Sequence, residues 1–145
     1  MDYIKDEIEE YLSKRKFLIL GTSSKNGKPL THPLAYINIG TDVYFLTSKS
    51  SRKVKNILEN PNVAYSIFDQ TDHYDEIRLL QMEGKAEEID DNKESETIIK
   101  MLVNKFPYFH GLPINSDNVV IKISPKFGYY SDYNRRLGKI EKVEF

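Results

Sequence analysis

The chain has 145 residues, 39% of them apolar and 30% charged, with a formal net charge of −1. That size and balance fit one globular domain with one core and exclude a disordered chain, and the near-neutral charge excludes a general pull toward nucleic acid or anionic membrane. Cysteine is absent, which excludes a disulfide scaffold, a cysteine nucleophile and thiolate metal sites.

The first residues, Met1-Asp2-Tyr3-Ile4-Lys5-Asp6-Glu7, are charged from the start and do not read as a signal peptide. No apolar run is long enough to span a bilayer, so the expected location is cytoplasmic. Ile4, Ile8, Tyr11 and Leu12 recur at helical spacing and predict an amphipathic helix over Asp2–Lys14. Phe17–Ser23 begins with a continuous apolar run and predicts a buried strand. Asn26-Gly27 predicts a type I′ hairpin turn, because both residues tolerate positive φ. Pro29 to Asn38 is the return strand, Gly40-Thr41-Asp42 the next turn, and Val43–Thr47 a third strand.

Ser51 is then an N-cap for a helix with Val54, Ile57 and Leu58 on one apolar face, closed by Asn60-Pro61. Val63–Phe68 predicts a fourth strand. The polar loop after it carries Asp69, Asp72, Asp75 and Glu76, read as solvated surface. Glu76–Ile89 is a fifth strand, with Gly84 as a bulge or close approach. Asp91–Phe106 predicts a helix with Ile98, Ile99, Leu102 and Val103 inward, followed by a loop over Pro107–Asn118. Val119–Ile123 and Phe127–Asp132 are strands on either side of Pro125, and Lys139–Phe145 is a final edge strand. Hairpin-linked strands argue against βαβ units, so the expected fold is mainly β, an antiparallel barrel with peripheral helices forming one domain over residues 1–145.

The most informative stretch is Thr47 to Lys55. A helix N-terminus favours Asp or Glu, yet this one holds Arg52, Lys53 and Lys55, preceded by Lys49 and by Ser48, Ser50 and Ser51. A bound phosphate would resolve that conflict, since amides, hydroxyls and a guanidinium can converge on one anion. Scattered surface lysines are the competing reading. His32, His73 and His110 lack ligand spacing, and no metal site is predicted. No phosphate-binding glycine loop or nucleophile elbow is present.

Val43 to Lys53, with a strand ending in Thr47 and Ser51-Arg52-Lys53 opening the next helix, resembles the flavin-phosphate motif of the pyridoxamine-phosphate-oxidase-like split-barrel superfamily. His32-Pro33-Leu34-Ala35-Tyr36 sits where the family's second flavin-contacting strand sits; Met82 to Ala86 and Phe127 to Tyr130 are similar to its later strands. The likeness runs in order over roughly Phe17 to Asp132. It implies an antiparallel split barrel that binds FMN. Arg52 and Lys53, assisted by Ser51 and Lys49, would hold the phosphate. Thr47 and Ser48 would meet the ribityl chain or ring, and Thr31 to Tyr36 would flank the isoalloxazine, including His32, Pro33, Leu34 and Ala35. Gln81, and Tyr129 or Tyr130 from a partner subunit, would stand near the ring. A homodimer with the cofactor at its interface is implied, acting on a small molecule as an oxidoreductase.

The departures are specific. The oxidases of the family carry Arg and Lys at the ends of the stretch matching Thr31 to Tyr36, Gln at the position of Leu79, and an Arg-Leu-His-Asp-Arg element where this chain has Arg135-Arg136-Leu137-Gly138. Vitamin B6 oxidation is therefore not the expected reaction. A related flavin oxidoreductase is, with the deazaflavin F420, haem, or a non-catalytic flavin or haem carrier as alternatives.

Overall fold

A computed structural model describes residues 2–135 and 138–145; Arg136 and Leu137, half of the expected Arg135-to-Gly138 element, lie outside the described residues. Helix α1 (Asp2–Lys14) leads into strands β1 (Phe17–Ser23), β2 (Pro29–Ala35), β3 (Ile37–Ile39) and β4 (Asp42–Ser48). Helix α2 (Arg52–Glu59), β5 (Asn62–Phe68), β6 (Arg78–Glu88), α3 (Asn92–Lys105), β7 (Asn118–Asp132) and β8 (Glu141–Glu144) complete the chain, with short 3-10 turns at Tyr74–Glu76 and Pro107–Gly111.

All eight strands belong to one antiparallel sheet in the order β2-β1-β5-β6-β7-β4-β3, with β8 beside β7. The expected strand Pro29 to Asn38 is in fact two. Residues up to Ala35 pair with β1, those from Ile37 pair with β4, and Tyr36 alone lies between them. One residue therefore joins opposite edges of the sheet. The sheet must curl until those edges approach, and it forms a split half-barrel. Tyr36 is fully buried at this corner. Its hydroxyl donates to the Leu12 carbonyl (2.7 Å), and the Lys105 ammonium lies 4.3 Å from its ring centre.

The two late strands are one, β7, which continues through Pro125. Its first half pairs with β4 and part of its second half with β8, while β6 pairs with it from Ile121 to Asp132. The β6–β7 register shifts at Glu83/Gly84, where Gly84 faces Pro125. A Cβ on Gly84 would run into the Ser124 carbonyl. The Asn26-Gly27 turn also differs from expectation. Gly27 N–H donates to the Ser24 carbonyl and Ser24 N–H to the Lys28 carbonyl (both 3.0 Å). Within this turn Gly27 takes positive φ (+83°) and Asn26 does not. This is a three-residue loop with a glycine bulge, which follows strand twist as well as a type I′ turn does.

The barrel interior is the main core. Ile4, Ile8, Tyr11 and Leu12 of α1 pack there with Leu18, Leu20, Phe45, Leu80, Met82 and Tyr130. Each buried aliphatic or aromatic side chain contributes about 1.5–3 kcal/mol relative to exposure. A second cluster lies outside the barrel. Ile98, Leu102 and Phe106 cover Ile37, Tyr44 and Val120 there, while Ile99 is only partly buried. Helix α3 thus covers one outer half of the sheet. The other outer half, across β2, β1, β5, β6 and the end of β7, is uncovered and exposes Phe17 (56%), Ile19 (39%) and Phe68 (62%).

Two expected surfaces are otherwise disposed. Leu58 is 73% exposed, and Asn56 takes the inward position beside Val54 and Ile57. Asp69 is not solvated loop: Arg15 grips it through two hydrogen bonds (2.6 and 2.9 Å) and the Tyr11 hydroxyl donates to it (3.0 Å). This clamp ties α1 to the end of β5.

Because backbone fills the space beside Gly84, Gly84→Ala is expected to destabilise the fold by about 1–3 kcal/mol. Urea denaturation checks this; an unchanged midpoint would show that the strand crossing yields freely.

Candidate functional site

The N-terminus of α2 is built by serine chemistry. Ser51, extended at φ −68° and ψ 154°, caps the helix by accepting the Val54 N–H on its side chain (3.4 Å). Its carbonyl accepts the Lys55 N–H. The amides of Arg52 and Lys53 then have no partner among the described residues. Ser48 and Ser50 share a hydroxyl contact of 3.1 Å at the mouth, and the Lys49 N–H is fixed by the Asp117 carbonyl (2.7 Å). No acidic residue lies in the first turn.

The cations are arranged unequally. Arg52 is exposed, whereas Lys53 is half-buried and donates to the Thr47 hydroxyl (3.1 Å), which lies 3.5 Å from the Ser51 hydroxyl. Burial, then the neighbouring Arg52 guanidinium, lowers the Lys53 pKa. Among the described residues, neither Arg52 nor Lys53 pairs with a carboxylate. The result is a cluster of two free amides, three serine hydroxyls and two uncompensated cations. It suits an oxyanion with several acceptor oxygens.

Behind this cluster runs a buried polar chain that the sequence reading missed. Asn56 donates its amide to the Thr22 hydroxyl (3.0 Å), which contacts His32 Nε2 (2.9 Å). All three residues are buried. The His32 pKa is lowered, by burial first and then by Lys53 and Arg52, and the Thr22 and Asn56 contacts tie His32 to α2, the helix that opens with the cradle. Nothing in helical hydrophobic periodicity could have singled out Asn56; the only signal was a polar residue among apolar spacings.

Strand alternation divides the other expected residues. His32 and Leu34 point inward, opposite Leu20 and Leu18, whereas Thr31, Pro33 and Ala35 face outward. Tyr36 and Tyr130 are sealed in the core at 0% and 1% exposure, so neither side chain can face a flavin ring from this chain. Tyr130 packs edge-on against Tyr11 instead. Tyr129, its neighbour, is on the outer face opposite Gln81. These two help line an open cleft of about 480 Å³ with Ile19, Gly21, Thr31, Ala64, Ser66 and Glu83. The cleft contains none of Thr47, Ser48, Lys49, Ser51, Arg52 or Lys53. One chain therefore does not bring Gln81 and Tyr129 to the phosphate-type cradle. His73 and His110 are exposed, and Arg135 pairs with Glu7 through a 2.9 Å bond.

The family model described as pyridoxamine 5'-phosphate oxidase matches residues 4–132, nearly the whole of this fold. The chain belongs to the pyridoxamine 5'-phosphate oxidase family. No curated protein sequence matches it. Among solved structures, it is similar to general stress protein 26 from Bacillus anthracis str. Sterne, with 24% identity, 99% of each chain covered and a TM-score of 0.73. The conserved hypothetical protein Rv2991 from Mycobacterium tuberculosis gives 21% identity, 92% and 87% coverage and a TM-score of 0.78. HutZ, the heme storage protein from Vibrio cholerae, gives 20% identity, 83% and 89% coverage and a TM-score of 0.71. These likenesses establish the split-barrel fold that this pyridoxamine 5'-phosphate oxidase family member shares.

Ser51→Ala removes the cap of α2 and is expected to cost about 0.5–2 kcal/mol. Thermal denaturation of the variant measures it; a stability equal to the parent would mean the helix start is not held by this hydroxyl.

Proposed function

We propose that this chain binds FMN through the α2 cradle and acts as a flavin-dependent oxidoreductase on a small molecule. The supporting observation is the basic, acid-free start of α2, with the Arg52 and Lys53 amides free and both side chains without a carboxylate partner. A flavin phosphate dianion fits that donor set. Arg52, Lys53 and Ser51 would hold the phosphate, and Thr47 and Ser48 would meet the ribityl chain. The outward side chains of Thr31, Pro33 and Ala35, with their strand's backbone, would flank the ring. When bound, the flavin supplies hydride and electron transfer, while the protein supplies binding and orientation.

The reading includes a homodimer. The uncovered outer half of the sheet exposes Phe17, Ile19 and Phe68, and Gln81 and Tyr129 stand on it away from the cradle. A second copy seated on that face would carry its Gln81 and Tyr129 to the first copy's flavin. Haem has less support. A side chain would have to hold its iron, and the outer cleft offers Met82, Glu83 and Tyr129 but, among the described residues, no histidine. The buried His32 already engages Thr22 through Nε2.

Flavin fluorescence quenching tests the proposal. Two charge-assisted contacts removed together in the Arg52→Ala, Lys53→Ala double variant should weaken FMN binding about 100-fold or more, with circular dichroism unchanged. Equal FMN affinity in parent and variant would remove the cradle.

A further inference from the structure

The buried chain Asn56–Thr22–His32 has a direction fixed by chemistry. The Asn56 amide nitrogen can only donate, so the Thr22 oxygen accepts from it (3.0 Å). The hydroxyl proton of Thr22 is then free for His32 Nε2, 2.9 Å away. Nε2 must accept, and the ring proton must reside on Nδ1. Nδ1 makes no hydrogen bond among the described residues, and it is not one of the sealed, unpartnered atoms of the interior. The charged groups facing His32 are Lys53 and Arg52 of α2; its neighbour on β1 offers only the neutral Thr22.

We propose that Asn56 and Thr22 are positioning residues that lock His32 as the neutral Nδ1–H form, and that this N–H is a further, charge-free donor to the anion held by Arg52 and Lys53. The inference rests on the cradle reading above. A charge-free donor has a physical rationale here. A third cation beside Lys53 would deepen the repulsion within the cluster, whereas a neutral N–H adds a contact without charge. Burial, and then the two cations, lower the His32 pKa and so favour the neutral ring.

Nuclear magnetic resonance of isotope-labelled histidine side chains reads the tautomer in the ligand-free protein. At about pH 8, where a free histidine is already neutral, His32 is expected as the Nδ1–H tautomer. Asn56→Asp replaces the donor by an acceptor of the same shape and should reverse the chain, moving the His32 proton to Nε2. An Nε2–H parent, or an unmoved proton in Asn56→Asp, would each overturn the lock. FMN titration is the second arm. Thr22→Val should weaken FMN binding about 10-fold, Thr22→Ser should retain it, and riboflavin, which lacks the phosphate, should bind parent and Thr22→Val alike. Equal FMN affinity in Thr22→Val would overturn the donor role. Failure of the parent to bind FMN at all would overturn the cradle reading and the donor role with it, while the spectra still decide the tautomer.

Discussion

A single residue between two sheet edges governs this structure. Tyr36 separates a strand that pairs with β1 from one that pairs with β4, at opposite ends of the strand order. Backbone reach across one residue is only a few ångströms, so the sheet has to curl. Curling creates an interior that α1 fills with Ile4, Ile8, Tyr11 and Leu12, and the Tyr36 hydroxyl ties that helix to the corner through Leu12. It also creates two outer surfaces. Helix α3 covers one and leaves the other with an open cleft. The positions of the cradle and of Gln81 and Tyr129 follow from this geometry.

The electrostatics of α2 run against its own dipole. Basic side chains at a helix start cost about 0.3–1 kcal/mol each when solvated, and partial burial of Lys53 adds to that cost. The surroundings keep the arrangement in place without neutralising it. Ser51 caps, Thr47 receives the lysine, and Asp117 fixes Lys49 through backbone. Local conflict held by a well-satisfied frame is the pattern expected where a ligand completes the charge balance.

Much of the fold was legible because it is written locally. The apolar runs, the glycine turns and the Ser51 cap fall where the sequence places them. Tertiary partners decided the rest. Periodicity put Leu58 inside, but the inward position belongs to Asn56, whose amide donates to Thr22 on a distant strand. Asp69 looked solvated until Arg15 and Tyr11 arrived from another element. Pro125 looked like a strand break, yet β7 absorbs it at the bulge opposite Gly84. For the site, the cradle was readable as a clash between charge and helix dipole. The fates of Tyr129 and Tyr130 were not, since adjacent strand residues face opposite ways and register alone chooses between them.

The central claim is that the α2 cradle retains a flavin. Its most direct test is the visible absorption spectrum of the purified protein after incubation with FMN and removal of the excess by gel filtration. The account predicts a flavin spectrum that co-elutes with the protein. A haem Soret band in its place, or a colourless protein, would contradict it.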